Sequence, residues 1–354
     1  MKSSFGKHCH VTVFGGSHED RIGVTLEGFP DGFEPDLVRL QKFMNRRAPG
    51  NSPFTTPRKE PDLVELESSD PLTLFIRNTN VRSADYAQIR QVPRPGHADY
   101  TAFIKYGDSV KMEGGGPFSG RMTAPLCIAG GLAMQVLAQH GITVGAHISS
   151  IGDKQDEYFA PADIPESLLC TLFSSEFPVI SADAGEEMKR LILDAKIQGD
   201  SVGGIVEACA IGVPAGLGGA MFDGVESVLA PILFGIPGVK GVEFGTGFAA
   251  SMLKGSENND PFFVENNQIR TVTNHHGGVL GGITSGMPLV LRVAFKPTPS
   301  IALEQQSVNL TTMEPETLQV AGRHDPCIVL RAVPVVEAAI AIGLLDLLME
   351  RINP

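Results

Sequence analysis

Three turns in this chain each set a histidine among glycines, hydroxyls or charged groups: Gly15-Gly16-Ser17-His18, Arg94-Pro95-Gly96-His97-Ala98-Asp99 and Gly322-Arg323-His324-Asp325-Pro326. An imidazole changes charge near neutral pH, so histidines converging beside arginines would grip an anion and also move protons. Expelling a phosphate leaving group requires that combination. His18 follows the hydroxyl of Ser17, and His97 stands two residues from Asp99. Both read as exposed loop positions, where functional groups concentrate, although a loop histidine is commonly no more than a solvated one. Pro326 biases Asp325 toward extended backbone, so Arg323 and Asp325 should project to one side and His324 to the other. An adjacent arginine favours the ionised carboxylate, which suits a base or an orienting group and equally a structural ion pair.

Further segments offer anion-binding chemistry without deciding it. Arg46-Arg47-Ala48-Pro49-Gly50 brings two guanidiniums together at a helix end, fit for bidentate contacts to a phosphate or for complementing the helix dipole. Phe295-Lys296-Pro297-Thr298-Pro299-Ser300 closes a strand with a cation and two hydroxyls, a phosphate-holding turn or a plain surface turn. The clusters Gly114-Gly115-Gly116, Gly199-Asp200-Ser201-Val202-Gly203-Gly204 and Gly277-Gly278-Val279-Leu280-Gly281-Gly282 allow close backbone approach to a ligand, or are simply turns. His275-His276 has no third ligand nearby and is a weak metal set. Neither a Gly-x-x-x-x-Gly-Lys-Ser/Thr loop nor a Gly-x-Gly-x-x-Gly joining strand to helix is present, which disfavours the common nucleotide folds.

Runs rich in β-branched residues at 10–14, 62–67, 73–77, 142–148, 204–211 and 289–295 predict the strands that position these turns. Helical spacing places Leu37, Leu40 and Met44 on one face of 35–45. Asp183 followed by Glu186 suggests an N-terminal cap leading into 188–196, and 125–139 and 333–351 are further helices. Strands and helices interleave without the steady beat of a doubly wound sheet, which predicts a mixed α/β or α+β layered fold. No fixed repeat or linker divides residues 1–354, so one domain is expected.

The chain's 354 residues, 42% of them hydrophobic and 19% charged, are ordinary for a globular enzyme, while 40 glycines and 25 prolines call for many turns. A net charge of −12 argues against nucleic acid and anionic membrane as partners and makes any basic pocket local. Five scattered cysteines form no Cys-x-x-Cys pair, consistent with reduced thiols in the cytoplasm and with neither disulfides nor zinc. The start of the chain lacks a signal core, and Glu337 and Asp346 interrupt the longest apolar stretch, 332–349, which reads as a buried C-terminal helix rather than a membrane span.

Together, in their order along nearly the whole chain, these segments resemble the chorismate synthase family. The resemblance runs from Ser3-Ser4-Phe5-Gly6 to Arg331-Ala332-Val333-Pro334 and takes in Thr55-Thr56-Pro57-Arg58 and Val239-Lys240-Gly241-Val242-Glu243-Phe244-Gly245, besides the three histidine turns and Lys296-Pro297-Thr298. It implies a homotetrameric β-α-β sandwich with mixed sheets enclosing helices. It also implies conversion of 5-enolpyruvylshikimate 3-phosphate into chorismate and phosphate with reduced FMN and no net redox change. Stripping an unactivated ring hydrogen is beyond a side-chain base, so a flavin would carry that step. By the resemblance His18 would protonate the departing phosphate, beside Ser17, and His97 would protonate the reduced flavin. Asp325 would assist proton removal, and Arg47, Arg121 and Arg323 would bind substrate anions or flavin where negative charge develops. Flavin contacts would fall on Ser119, Pro237, Gly238, Gly281, Lys296, Pro297, Thr298, Pro299, Ser300 and Arg323, with reduced flavin supplied by an external reductant drawing on NADPH.

The chain departs from the family in Pro117-Phe118-Ser119-Gly120-Arg121-Met122-Thr123, where an arginine is usual at 117 and an acid at 122. Gly16 replaces a usual glutamate, and Pro299 removes one N–H from the flavin-phosphate turn. These changes bear on flavin grip rather than on the acid–base groups. The altered segment motivates a rival reading, a non-catalytic flavin- or phosphometabolite-binding paralogue; a flavin oxidoreductase is a third.

Overall fold

Alternating burial builds an antiparallel sheet from the N-terminal strands. In the computed structural model, which describes residues 3–50, 52–56, 60–79, 91–109, 113–320, 322 and 324–352, these are β1 (Ser3–Phe5), β2 (His10–Gly15), β3 (Arg21–Glu27), β4 (Val64–Ser69) and β5 (Leu72–Arg77). Their spatial order is β1-β2-β3-β5-β4. Helix α1 (Leu37–Arg47) intervenes, capped by Asp36, which accepts the Arg39 N–H at 2.9 Å, and it buries Leu40, Phe43 and Met44 at helical spacing.

After α2 (Asp99–Tyr106), helix α3 (Thr123–Gln139) leads into the second sheet. Between β6 (Thr143–Ile151), β7 (Lys154–Gln155) and β8 (Gly204–Ile211) come α4 (Glu166–Ser174) and α5 (Ala182–Ile197). Then follow α6 (Val225–Phe234), β9 (Val239–Phe244), the single turn α7 (Gly255–Asn258) and two hairpins, β10 (Phe262–Glu265) with β11 (Gln268–Thr271) and β12 (Val279–Leu280) with β13 (Ile283–Thr284). Strand β14 (Leu289–Phe295) completes the sheet β7-β6-β8-β14-β9; a hairpin of β15 (Glu304–Val308) and β16 (Pro315–Gln319) precedes the last helix, α8 (Val329–Ile352).

Helices α3 and α8 form the middle layer, α3 against β2, β3 and β5 and α8 against β6 and β8. They touch because Gly130 has no side chain: a Cβ there would stand 2.3 Å from the Ala338 Cα. The acids that interrupt α8 tie it to both sheets. Asp346 accepts the N–H groups of Lys7, His8 and Cys9 ahead of β2, and Glu337 pairs with Arg46 and accepts the Ala146 N–H in β6 at 3.1 Å. Among the described residues two helices, 120–139 and Val329–Ile352, are long and apolar enough to cross a membrane, but the apolar window of the second lies 100% inside the protein, as a core helix does. The layered α+β sandwich thus agrees with expectation.

Four details differ. The sheets, expected to be mixed, are antiparallel at every described pairing, because neighbouring strands meet as hairpins or by returns through the helical layer. Ser181, not Asp183, caps α5 and accepts the Ala184 N–H at 3.5 Å, so the helix starts well before 188. Helix α8 begins at Val329 and takes Pro334 into its body, since complete burial outweighs a local helix breaker. Helices α2, α4 and α6 form where no helix was expected.

Candidate active site

The turn before α2 folds on itself through charge. Arg94 addresses Asp99 with two donors, Nε to Oδ2 at 2.7 Å and Nη2 to Oδ1 at 2.8 Å, while its backbone N–H also reaches Oδ2 at 3.0 Å. His97 Nδ1 lies 2.6 Å from Asp99 Oδ1. An ionised carboxylate can only accept, so Nδ1 carries the hydrogen and Nε2 is the working face. Burial alone would raise the Asp99 pKa; hydrogen bonds from Arg94 and His97 overturn it and hold the carboxyl well below the usual range. Arg94 Nη1 donates to Ser300 Oγ at 3.0 Å, and Lys296 Nζ donates to the Gly96 carbonyl. The triple glycine passes close by: a Cβ on Gly115, at φ +90°, would stand 3.4 Å from His97 Nε2 and 3.5 Å from Ser119 Cβ.

A second unit centres on Asp62, whose backbone is held at φ +48°, an uncommon conformation outside glycine. One of its oxygens takes Arg47 and the other Arg121, and all three side chains are buried. Burial would raise the Asp62 pKa, but the two guanidiniums lower it. Arg47 Nη1 also reaches Thr123 Oγ1 at 3.2 Å, and Arg121 Nε reaches Asn78 Oδ1 at 3.1 Å. Asn78 Nδ2 in turn donates to the carbonyls of Gly16 at 3.2 Å and Glu19 at 2.7 Å, so the turn carrying His18 hangs on Arg121 through one amide. Ser17 Oγ lies 3.2 Å from His18 Nδ1.

Asp325 joins the same network from the opposite end of the chain. Its Oδ1 accepts the Thr56 N–H at 2.8 Å and its Oδ2 pairs with Arg331 Nη1 at 2.8 Å, while Arg331 Nε donates to the Arg47 carbonyl at 3.0 Å. The cation beside Asp325 is therefore Arg331, in the first turn of α8. Arg323, expected to share its side, falls outside the described residues, as does Arg58. The ring of His324 lies against Gly322. A cleft of about 350 Å³ opens along Arg331, Arg46, Thr55, Ser174, Phe173 and Pro334, and neither His18 nor His97 lines it.

The Lys296 turn is drawn toward both units. The Lys296 N–H reaches the Gly238 carbonyl at 3.0 Å, Ser201 Oγ donates to the Thr298 carbonyl at 2.7 Å, and the Val202 N–H reaches the Pro326 carbonyl at 2.9 Å. This places Pro237, Gly238, Pro297, Thr298, Pro299 and Ser300 between the His97 turn and the Asp325 segment. Gly281 is not brought there: it tips the β12–β13 hairpin, which packs on Gly218–Gly224 through the Val225 N–H to the Gly282 carbonyl at 2.8 Å.

His18 and His97, expected to be exposed, are partly enclosed, because Asn78 and Gly115 pack their turns. Arg47 and Arg121 are committed to Asp62 rather than presented on open loops. Sequence reasoning missed Asp62, Asn78 and the role of Arg94. Only Arg94 carried a local signal, as the cation in a turn that also holds His97 and Asp99. Among the described residues no three His, Cys, Asp or Glu side chains gather as a metal site, and His275 and His276 instead donate backbone N–H groups to Asp260. Burial pushes the Cys9, Cys127 and Cys327 thiols up to about 12, which leaves them inert near neutrality.

Comparison with known proteins identifies the family. The family model described as chorismate synthase matches residues 9–349. The chorismate synthase of Lancefieldella parvula is 46% identical, with 98% of this chain and 96% of that protein covered. That of Thermococcus gammatolerans is also 46% identical, over 98% of this chain and 97% of that protein. A crystal structure of chorismate synthase superposes with a TM-score of 0.77 at 27% identity, covering 98% of this chain and 94% of that one. The chain, which holds His97 on the Arg94–Asp99 pair and ties the His18 turn and Asp325 to the Asp62 unit, belongs to the chorismate synthase family.

Proposed function

We propose that this chain eliminates phosphate from 5-enolpyruvylshikimate 3-phosphate to give chorismate, as a carbon–oxygen lyase serving aromatic biosynthesis. The observation that carries the reading is the Arg94–Asp99–His97 unit, which fixes one imidazole tautomer and aims Nε2 past the Gly115 turn. In this reading His18, steadied through Asn78 and next to the Ser17 hydroxyl, gives its proton to the departing phosphate. His97 would exchange a proton with the cofactor through Nε2, its Nδ1 hydrogen staying on Asp99, and Asp325 takes part in removing the ring proton. Arg47 and Arg121 meet the developing negative charge with buried N–H groups: Arg47 Nε and Arg121 Nη2 have no hydrogen-bond partner among the described residues.

The residues also fit reduced FMN. Thr298 Oγ1 is buried with no hydrogen-bond partner among the described residues, and burial, then the nearby Lys240, lowers the Lys296 pKa, which an arriving phosphate would relieve. Lys296, Thr298 and Ser300 would hold the flavin phosphate, with Ser119 and Pro237-Gly238 beside it and Arg323 as a further contact. When bound, the flavin supplies the electron chemistry that removes an unactivated hydrogen without net redox change. A reductant external to the chain would reduce it.

One continuous core running from Cys9 to Met349 supports reading residues 1–354 as a single domain. The exposed apolar side chains of Phe222, Phe248 and Phe262 favour the homotetramer, and the reduced, mostly buried cysteines favour a cytoplasmic setting. Phosphate release measured anaerobically with chemically reduced FMN tests the assignment. Turnover without net loss of reductant is expected. Folded, flavin-binding protein that releases no phosphate would refute it, and stoichiometric consumption of reductant would point to an oxidoreductase.

A further inference from the structure

We propose that Arg331, to which no role has been given, is the positioning residue that sets the carboxylate of Asp325 and couples it to the arginine pair. The inference rests on the reading of Asp325 above. Asp325 sits in the loop between β16 and α8, and two groups fix its two oxygens: the Thr56 N–H, remote in sequence, at 2.8 Å and Arg331 Nη1, in the helix that follows, at 2.8 Å. Arg331 belongs to the first turn of a helix whose body is wholly buried, so its origin is among the more rigid points of the molecule. The guanidinium is used as a fork. While Nη1 holds Asp325, Nε donates to the Arg47 carbonyl at 3.0 Å, and the Arg47 side chain goes on to Asp62 and Arg121.

Only arginine offers two rigidly related donors for that purpose. A lysine at 331 could satisfy the carboxylate or the carbonyl, but its single ammonium would not hold both at fixed separation. The side chains of Arg331 and Asp325 are 19% and 16% exposed, so solvent screens the pair only in part. Arg331 also lines the cleft of about 350 Å³, leaving room on its outer side for the side chain to swing away once the fork is broken. Losing it therefore frees the carboxylate to turn without emptying the core.

The test is a double-variant cycle on the full chain, assayed with reduced FMN and the phosphorylated substrate, comparing Asp325→Asn, Arg331→Gln, Arg331→Lys and the Asp325→Asn/Arg331→Gln combination. Arg331→Gln should lower kcat about 10–10²-fold, the usual cost of misplacing a reacting group, with KM within about threefold. Arg331→Lys should recover no more than a few-fold of that loss. In the Asp325→Asn background, Arg331→Gln should cost nothing further, since a residue acting through Asp325 has nothing left to act on.

Titration with oxidised FMN gives a readout apart from turnover, and its Kd should stay within about threefold in both single Arg331 variants. Equal collapse of FMN affinity and kcat would assign Arg331 a merely structural role and overturn the proposal. So would multiplicative losses in the combined variant, or an unimpaired Arg331→Gln beside an impaired Asp325→Asn. Should Arg331→Gln fail to fold, Arg331→Lys carries the same comparison, and a folded lysine variant with normal kcat overturns the proposal. An unimpaired Asp325→Asn is a different result: it removes the reading of Asp325 itself, and this inference with it.

Discussion

At the scale of single residues, the candidate site is built from acid–base groups whose orientation is fixed by neighbours. His18→Ala and His97→Ala should each slow phosphate release about 10²–10⁴-fold, the usual worth of a general acid or base, with unfolding transitions like those of the parent chain. Asp99→Asn should also slow turnover, because the amide can offer Nδ1 its nitrogen and reverse the tautomer that the carboxylate enforces. Its acid-stability profile is a separate check. The folded-state pKa of Asp99 is depressed, so its stabilisation is present above the unfolded value of about 3.9 and is lost as pH falls through the folded value. Denaturant unfolding from pH 6 to pH 3 should therefore be less steep in pH for Asp99→Asn; an unchanged slope would rule the pairing out. The histidines were legible in the sequence because glycine and proline neighbours mark them as turn residues. Asp62 was not: its partners Arg47 and Arg121 lie 15 and 59 residues away, and only the fold brings them to one carboxylate.

At the scale of elements, the sequence was most informative where pattern and burial coincide. Strands β8 and β14 start and end where β-branched runs place them, and α1 follows its apolar spacing to within two residues. Helix α6 escaped notice because it contains Pro231 and its apolar residues form no clean stripe, so tertiary burial of Leu229, Ile232 and Leu233 decides it. A charged row crosses the second sheet: His147 on β6 faces Glu207 on β8, and Arg292 on β14 faces Glu207 and Glu243. His147 is fully buried, with Nδ1 3.1 Å from Asp156 and Nε2 3.0 Å from Glu207. Burial alone would lower its pKa, but these two hydrogen bonds raise it. A raised folded-state pKa means that the contribution is complete below the unfolded value of about 6.5 and is lost as pH climbs through the folded value. Equilibrium unfolding at pH 6, 7.5 and 9 should show declining stability in the parent chain and a flatter profile in His147→Gln. That variant should also be less stable by about 3–5 kcal/mol at pH 6, since Asp156 loses its cation and Glu207 keeps only Arg292, 3.9 Å away.

At the scale of the whole molecule, the two sheets and the helices between them leave one region unaccounted for. The β10–β11 hairpin touches the core hardly at all: Phe262, Val264 and Ile269 are 66%, 72% and 69% exposed, and Val264 stands directly opposite Ile269 in the register. Alternation along β10 puts Phe262 and Val264 on one face, so these three side chains form a single apolar surface on a two-stranded ribbon. Such a ribbon is marginal in water by itself, and exposed apolar surface of this kind marks an interface. No strand was expected at 262–271, and alternation alone would not have shown which face stays outside, since such a strand reads the same whether its apolar face meets the core or another chain. If the chain assembles as its family resemblance implies, this hairpin is where copies should meet. Sedimentation velocity should then give a species several times the 37.7 kDa chain, and Val264→Asp or Ile269→Asp should shift it toward smaller species. Because the hairpin adds little to the core, the dissociated variant should keep the far-ultraviolet spectrum of the parent. A charge introduced here that leaves the sedimentation coefficient unchanged would move the interface elsewhere, and a parent chain sedimenting at 37.7 kDa would end the homotetramer reading altogether.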